Sequence, residues 1–534
     1  MKRLKIPITV MVALLIALPC TVWAAQFDAP FYDLQKKKQK EWAREDKQIN
    51  KKLKALRKKF GKTPNIIYIL SDDVGWGELG WQGGGKHRGT PTPELDKMAF
   101  EGMRFWSAYA EPSCTPTRIA IMTGRHPVRT GLLNVLWPGQ TEGLSTKEVT
   151  IAEVLSKVGY HTAMWGKWHL GELPEHAPHN QGFDYAYYGL FNGAPDGWPD
   201  SHALYNSPTN AKSPWYDYPG NEDYEKMTGI DLDEPAAYTG RKGRPPQPVE
   251  GAAGTLGLFR QEAFENESID QITAYIKEKS NSDKPFFIYW ASYALQVHGS
   301  EKFKDAPHVD RANAQASFMA MHDAHVRRLL DKLQEEGIEE NTLVVWISDN
   351  GPMYAFWPTS GYSWLRGAKG DVLEGGVRVP AMARWPGMIE PNQDPVDIIH
   401  VTDLFTTAAR IAGAMKHVPG DRVTDGIDQT ALLLNGEGHS RRNYMFHYSG
   451  GDLAAVRYAQ FKIIMTGEAR GGLPSLEFYN VVRDPGEKYG AFYSGLYAVT
   501  PLQNQIRSHM MMIRKFPHRV SETMPRGAEI TPHD

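Results

Sequence analysis

Four runs of strand length, each rich in apolar residues and each followed by polar ones, constrain the fold of this chain more than any other feature. Continuous apolar runs of this kind indicate strands that are buried on both faces of a parallel sheet. Helical patterns separate them, and this alternation predicts an α/β fold with a mostly parallel central sheet flanked by helices. The runs are residues 65–70, 160–165, 285–290 and 343–347.

Polar side chains follow each of these runs. The carboxyl ends of parallel strands lie at one edge of a sheet, and ligand crevices in open α/β sheets lie beyond that edge. The sequence therefore predicts a single site that collects these side chains. They are Asp72, Asp73, Lys167, His169, His298, Asp349 and Asn350.

Three of these residues are acidic. Asp72, Asp73 and Asp349 cannot share a crevice as unpaired anions, because like charges a few Å apart force protonation unless a cation compensates. Together with the amide oxygen of Asn350 they form an all-oxygen ligand set, which suits Ca²⁺ or Mg²⁺ and is poor for zinc. Taken separately, the Asp-Asp and Asp-Asn-Gly stretches would each be an ordinary turn at a strand end. Their combination predicts one divalent cation, Ca²⁺ before Mg²⁺.

Cys114 is one of two cysteines, and the other, Cys20, lies in a segment that we expect to be removed. A lone cysteine cannot form an intramolecular disulfide, so it is a buried bystander, an exposed thiol or a residue kept for its chemistry. The residues that follow it predict a helix ending at Gly124. Cys114 would then lie near a helix N-terminus, where the dipole favours a thiolate or another anion.

The stretch Cys114-Thr115-Pro116-Thr117-Arg118, followed by Thr123-Gly124-Arg125, resembles the signature of the type I sulfatases, Cys-x-Pro-x-Arg and then Thr-Gly-Arg. The commonest form of this signature has Ser in place of Thr117, and Thr keeps the hydroxyl. The resemblance covers most of residues 64–487. Its other specific parts are residues 71–73, 166–171, 348–351, 367–380 and 385–387.

This resemblance implies an alkaline-phosphatase-like fold and hydrolysis of sulfate esters. It implies that a formylglycine-generating enzyme oxidises Cys114 to formylglycine, an aldehyde whose hydrate attacks sulfur. It also implies the ligands of one Ca²⁺, which are Asp72, Asp73, Asp349, Asn350 and the modified Cys114.

Basic and imidazole side chains complete the predicted chemistry. The cations Arg118, Lys167 and Lys369 could hold the oxygens of a tetrahedral oxyanion, although surface charge is the default role of any single Lys or Arg. By the resemblance, His298 or Lys369 protonates the departing alcohol, and His169 takes a proton from the remaining hydroxyl. His298 is the weaker histidine, because this chain has Val297-His298-Gly299 where the family often has His-x-Pro.

Charge and chain ends bear on partners and compartment. The chain has 60 basic and 62 acidic residues, so its overall charge does not indicate that it binds nucleic acid. Residues 1–25 have basic residues, an apolar run and a small-residue cleavage site, which predicts a signal peptide and a periplasmic or secreted protein without stable membrane insertion. A lipoprotein signal ending at Cys20 is the alternative, and Pro19 fits it poorly.

Further along the chain, residues 26–63 are basic and carry a thin apolar stripe at helical spacing. They predict a helix packed on the body or, alternatively, an arm that gathers anionic polymers. Residues 64–415 are predicted to form the catalytic domain and residues 416–534 a smaller antiparallel C-terminal α+β subdomain.

Two other functions remain open at this point: hydrolysis of phosphate or phosphonate esters, and binding of sulfated polymers by an unmodified pseudoenzyme. The predicted substrate is an aryl sulfate or a sulfated glycan. Aromatic residues on a long stretch, Trp198 to Tyr218, together with Tyr362 and Trp364, are predicted to form the rim that selects the alcohol.

Overall fold

The computed structural model describes residues 25–136, 140–190, 235–255, 261–294, 299–311, 313–354, 362–436, 438–465 and 476–519. Its strands are β1 Gln26–Phe27, β2 Asn65–Ser71, β3 Met103–Tyr109, β4 His161–Lys167, β5 Tyr185–Gly189, β6 Ala237–Arg241, β7 Gln247–Pro248, β8 Phe286–Ala291, β9 Thr342–Ser348, β10 Arg378–Arg384, β11 Ile398–His400, β12 Val423–Thr424, β13 Tyr444–Ser449, β14 Asp452–Tyr458, β15 Phe461–Ile464 and β16 Glu477–Asn480.

The α-helices alternate with these strands through most of the chain, and single-turn 3₁₀ helices lie between them. They are α1 Ala29–Phe60, α2 Pro93–Phe100, α3 Cys114–Thr123, α4 Pro127–Thr130, α5 Ile151–Ser156, α6 Gln261–Ser280, α7 Ala314–Glu335, α8 Glu374–Val377, α9 Val401–Ala412, α10 Thr430–Leu434 and α11 Leu496–Lys515.

The central sheet has ten strands in the order β11-β3-β10-β9-β2-β8-β4-β5-β6-β7. Strand β10 is antiparallel to both of its neighbours, and β6 and β7 form an antiparallel edge. The other pairs are parallel. The predicted mostly parallel sheet is therefore confirmed.

The middle of this sheet is covered on both faces. Every residue of β2 is buried. Ile66 and Leu70 contact one apolar cluster, whereas Ile67 and Ile69 contact the other. Since successive side chains of a strand point to opposite faces, one continuous apolar run supplies both cores.

The direction of the strands decides which residues meet. Strands β2, β3, β4, β8 and β9 all end at the same edge of the sheet. Because β10 runs the other way, its first residue lies at that edge. The segment before β10, residues 362–377, therefore reaches the place where the other strands end.

A second, antiparallel sheet follows near the C-terminus, with the order β13-β14-β15-β16. This confirms the predicted smaller antiparallel subdomain. Val418 and Leu432 pack in the main core and not against the small sheet. The domain limits at residues 63 and 415 stay predictions.

Helix α1 is packed on the body through the stripe that its sequence predicted. Ile49, Leu53 and Leu56 are buried in the main core. Trp42 stacks on Phe31 with ring centroids 5.8 Å apart, inside the cluster that also covers the small sheet. The helix thus contacts both parts of the protein. Within the described residues, no helix has the length and apolar character needed to cross a membrane.

Gly124 ends α3 and offers a stability test. Its φ is 67°, and a Cβ there would lie 2.7 Å from Cδ1 of Phe405. Gly124→Ala therefore adds a steric clash to the left-handed strain of about 1–2 kcal/mol. Gly159→Ala is the matched control, because Gly159 has a φ of 91° with nothing within 4 Å. We expect Gly124→Ala to lower the thermal unfolding temperature clearly more than Gly159→Ala does. Equal losses would contradict the packing described for this turn.

Candidate active site

The ends of β2 and β9 and the start of α3 meet beyond the carboxyl edge of the sheet. One ligand atom from each of Asp72, Asp73, Cys114 and Asp349 lies within 4.8 Å of the others. All four side chains are fully buried. These are the acidic residues and the cysteine whose convergence the sequence predicted.

Backbone geometry holds the two neighbouring carboxylates in place. Asp73 has a φ of 60°, in the left-handed region that Asp tolerates better than most residues. Its backbone N–H donates to Oδ1 of Asp349 at 3.0 Å. The N–H of Asp72 donates to the carbonyl of Ala294 at 3.1 Å, which ties the end of β2 to the segment after β8.

Asn350 is oriented by two donated hydrogen bonds. Its Nδ2 donates to Oδ1 of Asp73 at 2.6 Å and to the carbonyl of Gly351 at 2.8 Å. Its Oδ1 is buried and has no hydrogen-bond partner among the described residues. An unsatisfied buried acceptor beside three carboxylates is the donor set that a hard divalent cation requires, so the residues fit Ca²⁺ or Mg²⁺.

Three basic side chains contact the three carboxylates. Lys167 Nζ donates to Asp72 Oδ2 at 2.7 Å. Arg118 Nη2 donates to Asp349 Oδ2 at 2.8 Å. Lys369 Nζ lies 2.8 and 2.9 Å from the two carboxylate oxygens of Asp73. The sequence-predicted cations are therefore gathered in the site, each with a carboxylate partner.

These contacts act on the carboxyl groups unequally. Burial acts to raise the pKa of Asp72, but Lys167 and Arg118 outweigh it and hold that pKa well below its usual range. Burial, followed by the neighbouring Asp72 carboxylate, raises the pKa of Asp349. The basic side chains alone therefore do not keep both carboxylates readily ionised.

The thiol of Cys114 contacts the same groups. Lys369 Nζ lies 3.0 Å from its Sγ, and Asp72 Oδ1 lies 3.4 Å from it. Burial, and then the charge of Asp349, raises the pKa of the thiol far above its ordinary value. Burial and the nearby carboxylates thus oppose the preference for an anion that the N-terminus of α3 provides. The direction of this shift favours the protonated thiol over the thiolate.

His169 lies next to this group, in a strained backbone conformation with a φ of 57°. The hydroxyl of Thr115 donates to its carbonyl at 3.0 Å, and Nε2 lies 2.8 Å from the carbonyl of Leu136. Its Nδ1 is buried without a hydrogen-bond partner among the described residues. Burial and then Lys167 lower its pKa well below the usual value, which favours the neutral ring. His298 lies outside the described residues.

Thr117 is a positioning residue whose contacts sequence reasoning missed. Its hydroxyl donates to the carbonyl of Asp349 at 2.5 Å and accepts from the N–H of Glu111 at 3.0 Å. This explains why a hydroxyl is kept at this position of the signature, which was the available signal. Arg125, the last residue of the Thr-Gly-Arg triplet, pairs instead with Glu148 at 2.6 and 2.8 Å, outside the carboxylate group.

Comparisons with known proteins agree with this geometry. A family model described as Sulfatase matches residues 64–414. N-acetylgalactosamine-6-sulfatase of Mus musculus is 34% identical over 414 residues, which cover 75% of this chain and 71% of the relative. Arylsulfatase A of Homo sapiens is 33% identical over 485 residues, covering 85% and 88%. The crystal structure of PsFucS1 sulfatase from Pseudoalteromonas sp. is similar with a TM-score of 0.79 and 31% identity, covering 90% of this chain and 96% of that one.

The chain belongs to the sulfatase family and is a sulfuric ester hydrolase. The resemblance read from the signature, the alkaline-phosphatase-like fold and the hydrolysis of sulfate esters are confirmed. The substrate is a sulfated compound, and the acidic cluster is suited to the metal on which the family generally depends.

Metal removal is the direct test of the acidic cluster. We expect exhaustive chelation to lower the unfolding temperature and Ca²⁺ to restore it. The reason is that the ion binds the folded state and compensates the negative charge of the clustered carboxylates. At 100 times its Kd a ligand of the folded state contributes about 2.7 kcal/mol.

The Asp349→Asn variant should lose this response. Asp323→Asn is the matched control, since Asp323 is a buried carboxyl that accepts from the N–H of Leu95 at 2.8 Å. If both variants keep the Ca²⁺ response, the metal does not bind through Asp349.

Proposed function

We propose that this protein hydrolyses sulfate monoesters by means of formylglycine formed from Cys114 and one divalent cation, Ca²⁺ in preference to Mg²⁺. Asp72, Asp73, Asp349 and Asn350 are the proposed protein ligands, with the modified residue 114 completing the set. The observation that carries the proposal is the buried meeting of three carboxylates, an unpartnered amide oxygen and three cations around one cysteine.

The cation and formylglycine each have a defined contribution to the proposed reaction. The bound cation supplies positive charge against an oxygen of the sulfate, and formylglycine, as its hydrate, supplies a hydroxyl nucleophile and a second hydroxyl on the same carbon. The second hydroxyl explains why serine, which would leave a stable sulfate ester, cannot replace it.

The side chains of this chain divide the remaining work. Lys167, Arg118 and Lys369 bind and neutralise sulfate oxygens, a role in which fixed charges in a water-excluded site are most effective. Burial acts to lower the pKa of Lys369, but the negative charges of Asp73 and the other acidic groups of the site together raise it well above its usual value. Lys369 therefore carries a proton 3.0 Å from Cys114 Sγ, and this position makes it the proposed donor to the leaving alcohol.

His169 is the proposed proton acceptor. Its neutral ring has Nε2 next to the carbonyl of Leu136, which leaves Nδ1 to take a proton from a hydroxyl of residue 114. His298 is the alternative donor to the leaving alcohol.

Replacement of Cys114 tests the nucleophile. Cys114→Ala should abolish turnover of a small aryl sulfate while the protein stays folded, and Cys114→Ser should also fail unless the host modifies serine. Met122→Leu is the control, because Met122 is buried in the same helix and the exchange conserves volume. Turnover by Cys114→Ala at the level of the wild-type protein would overturn the proposal.

Mass spectrometry identifies the modification itself. Formation of formylglycine lowers the mass of the peptide containing Cys114 by the difference between sulfur plus two hydrogens and one oxygen. The intact mass of the same sample also tests the proposal that the protein is exported and loses residues 1–25. The modifying enzyme is the proposed protein partner.

Aromatic residues at the rim of the site favour a substrate whose sulfate is esterified to a sugar or to an aryl alcohol. Trp364 is 60% exposed, and a Cβ on Gly77 would lie 2.1 Å from its Cδ1, so the indole stands on the loop that follows Asp73. The Arg88 guanidinium lies 3.5 Å from the ring centroid of Tyr362. Flat aromatic faces of this kind stack on aryl rings and on sugars. The stretch from Trp198 to Tyr218 lies outside the described residues.

We propose a sulfated carbohydrate as the natural substrate, with small aryl sulfates as minimal ones. A relative named N-acetylgalactosamine-6-sulfatase supports this choice.

Trp364→Ala should raise KM for a sulfated oligosaccharide more than for a small aryl sulfate, with little change in kcat, because it removes binding shared by ground and transition states. Phe100→Ala is the matched control. Phe100 is an aromatic residue that is 49% exposed, and it lies in the helix before the first residue of β3, at the edge of the sheet opposite to the active site. Equal losses on both substrates, or the same effect from Phe100→Ala, would place the rim elsewhere.

A further inference from the structure

A second group of ligating side chains is buried near the active site but does not belong to it. Ligand atoms of Glu111, His126 and His400 all lie within 4.8 Å of one another. Nδ1 of His126 is 2.7 Å from Oε1 of Glu111, and Nε2 of His400 is 3.7 Å from the same oxygen. We refer to these three residues as the histidine cluster.

The topology of the sheet brings the histidine cluster together. Strands β3 and β11 are parallel, and His400 pairs with Tyr109 at their carboxyl ends. Glu111 follows Tyr109 by two residues, so both ligands lie at one edge. His126 comes from the turn after α3, where it is the N-cap residue of α4.

Two histidines in this region leave buried ring nitrogens without partners. His400 is 1% exposed, and its Nε2 has no hydrogen-bond partner among the described residues. The same holds for both ring nitrogens of His447 on β13, which is fully buried. Burial lowers the pKa of His447 well below its usual value, as do the nearby charges of Lys462 and His126. Buried polar groups left without a partner are destabilising, so such groups call for an ordered water or an ion.

We propose that the histidine cluster binds one Zn²⁺ through Glu111, His126 and His400. Imidazole nitrogens with a carboxylate are a ligand set that zinc prefers, whereas Ca²⁺ prefers oxygen alone. Ligands at about 2.0–2.1 Å from a tetrahedral ion lie roughly 3.4 Å from one another. The 3.7 Å pair is close to that separation, and the 2.7 Å pair opens by a fraction of an ångström when the ion enters.

The role of this zinc is structural. Glu111 is three residues before Cys114, and its backbone N–H donates to the hydroxyl of Thr117. A zinc ion at the histidine cluster therefore fixes the loop that presents Cys114 to the carboxylates. His447, from the antiparallel sheet, is the proposed source of a fourth ligand, which would join that sheet to the same loop.

Zinc content tests the proposal in protein that carries Cys114→Ala, since the thiol could itself bind zinc, and with saturating Ca²⁺ to fill the oxygen site. After equilibration with Zn²⁺ and removal of excess ion, elemental mass spectrometry should find one zinc per chain. Glu111→Gln and His400→Gln should each lose it. His179→Gln is the matched control, because His179 is a buried histidine with unpartnered ring nitrogens outside the histidine cluster, and it should keep the zinc.

Two measurements without a ligand substitution guard against variants that fail to fold. Zn²⁺ should raise the unfolding temperature of the Ca²⁺-saturated Cys114→Ala protein, and Co²⁺ should give the intense visible absorption of a four-coordinate site. If this protein binds no zinc and neither signal appears, the histidine cluster is a hydrated polar network and the proposal is wrong. Zinc retained by both variants would overturn it as well.

Discussion

Charge compensation among three buried carboxylates is the constraint on which the active site depends. Asp72, Asp73 and Asp349 are fully buried within one small volume. Buried charges are tolerated only when each has a partner and good hydrogen bonds. The fold meets part of this requirement with a cation from each of three separate segments: α3, β4 and the stretch before β10. The pairing also gathers three positive charges around residue 114.

Sheet topology makes that convergence possible. Parallel strands deliver Asp72, Lys167 and Asp349 to one edge, and the reversed β10 brings Lys369 to the same edge from the opposite direction in the chain. The same surroundings disfavour the thiolate form of Cys114, since burial and then Asp349 raise the pKa of its thiol. An arrangement that suppresses the thiolate is compatible with a nucleophile made by modification of this residue, and less so with a cysteine used as it stands.

Much of the site could be predicted from sequence because its residues directly follow buried strands. Residues 65–70 and 343–347 indicate strands by composition, and the polar residues after them inherit a common edge once the strands are parallel. The local pattern around Cys114 likewise indicates a helix start, and Cys114 is the first residue of α3. These inferences need only short-range information.

The tertiary structure alone decided the pairing of charges and the state of the thiol. Which cation contacts which carboxylate depends on strand order, and the reversal of β10 cannot be read from residues 378–384. The position of Cys114 at a helix N-terminus favours a thiolate or another anion, but burial, which a local pattern does not report, acts in the opposite direction. Glu111, His126 and His400 could not be predicted as a group, because His126 and His400 are 274 positions apart in the sequence and their contact exists only once β11 pairs with β3. Periodicity specifies elements, whereas long-range contacts are specified by how those elements pack.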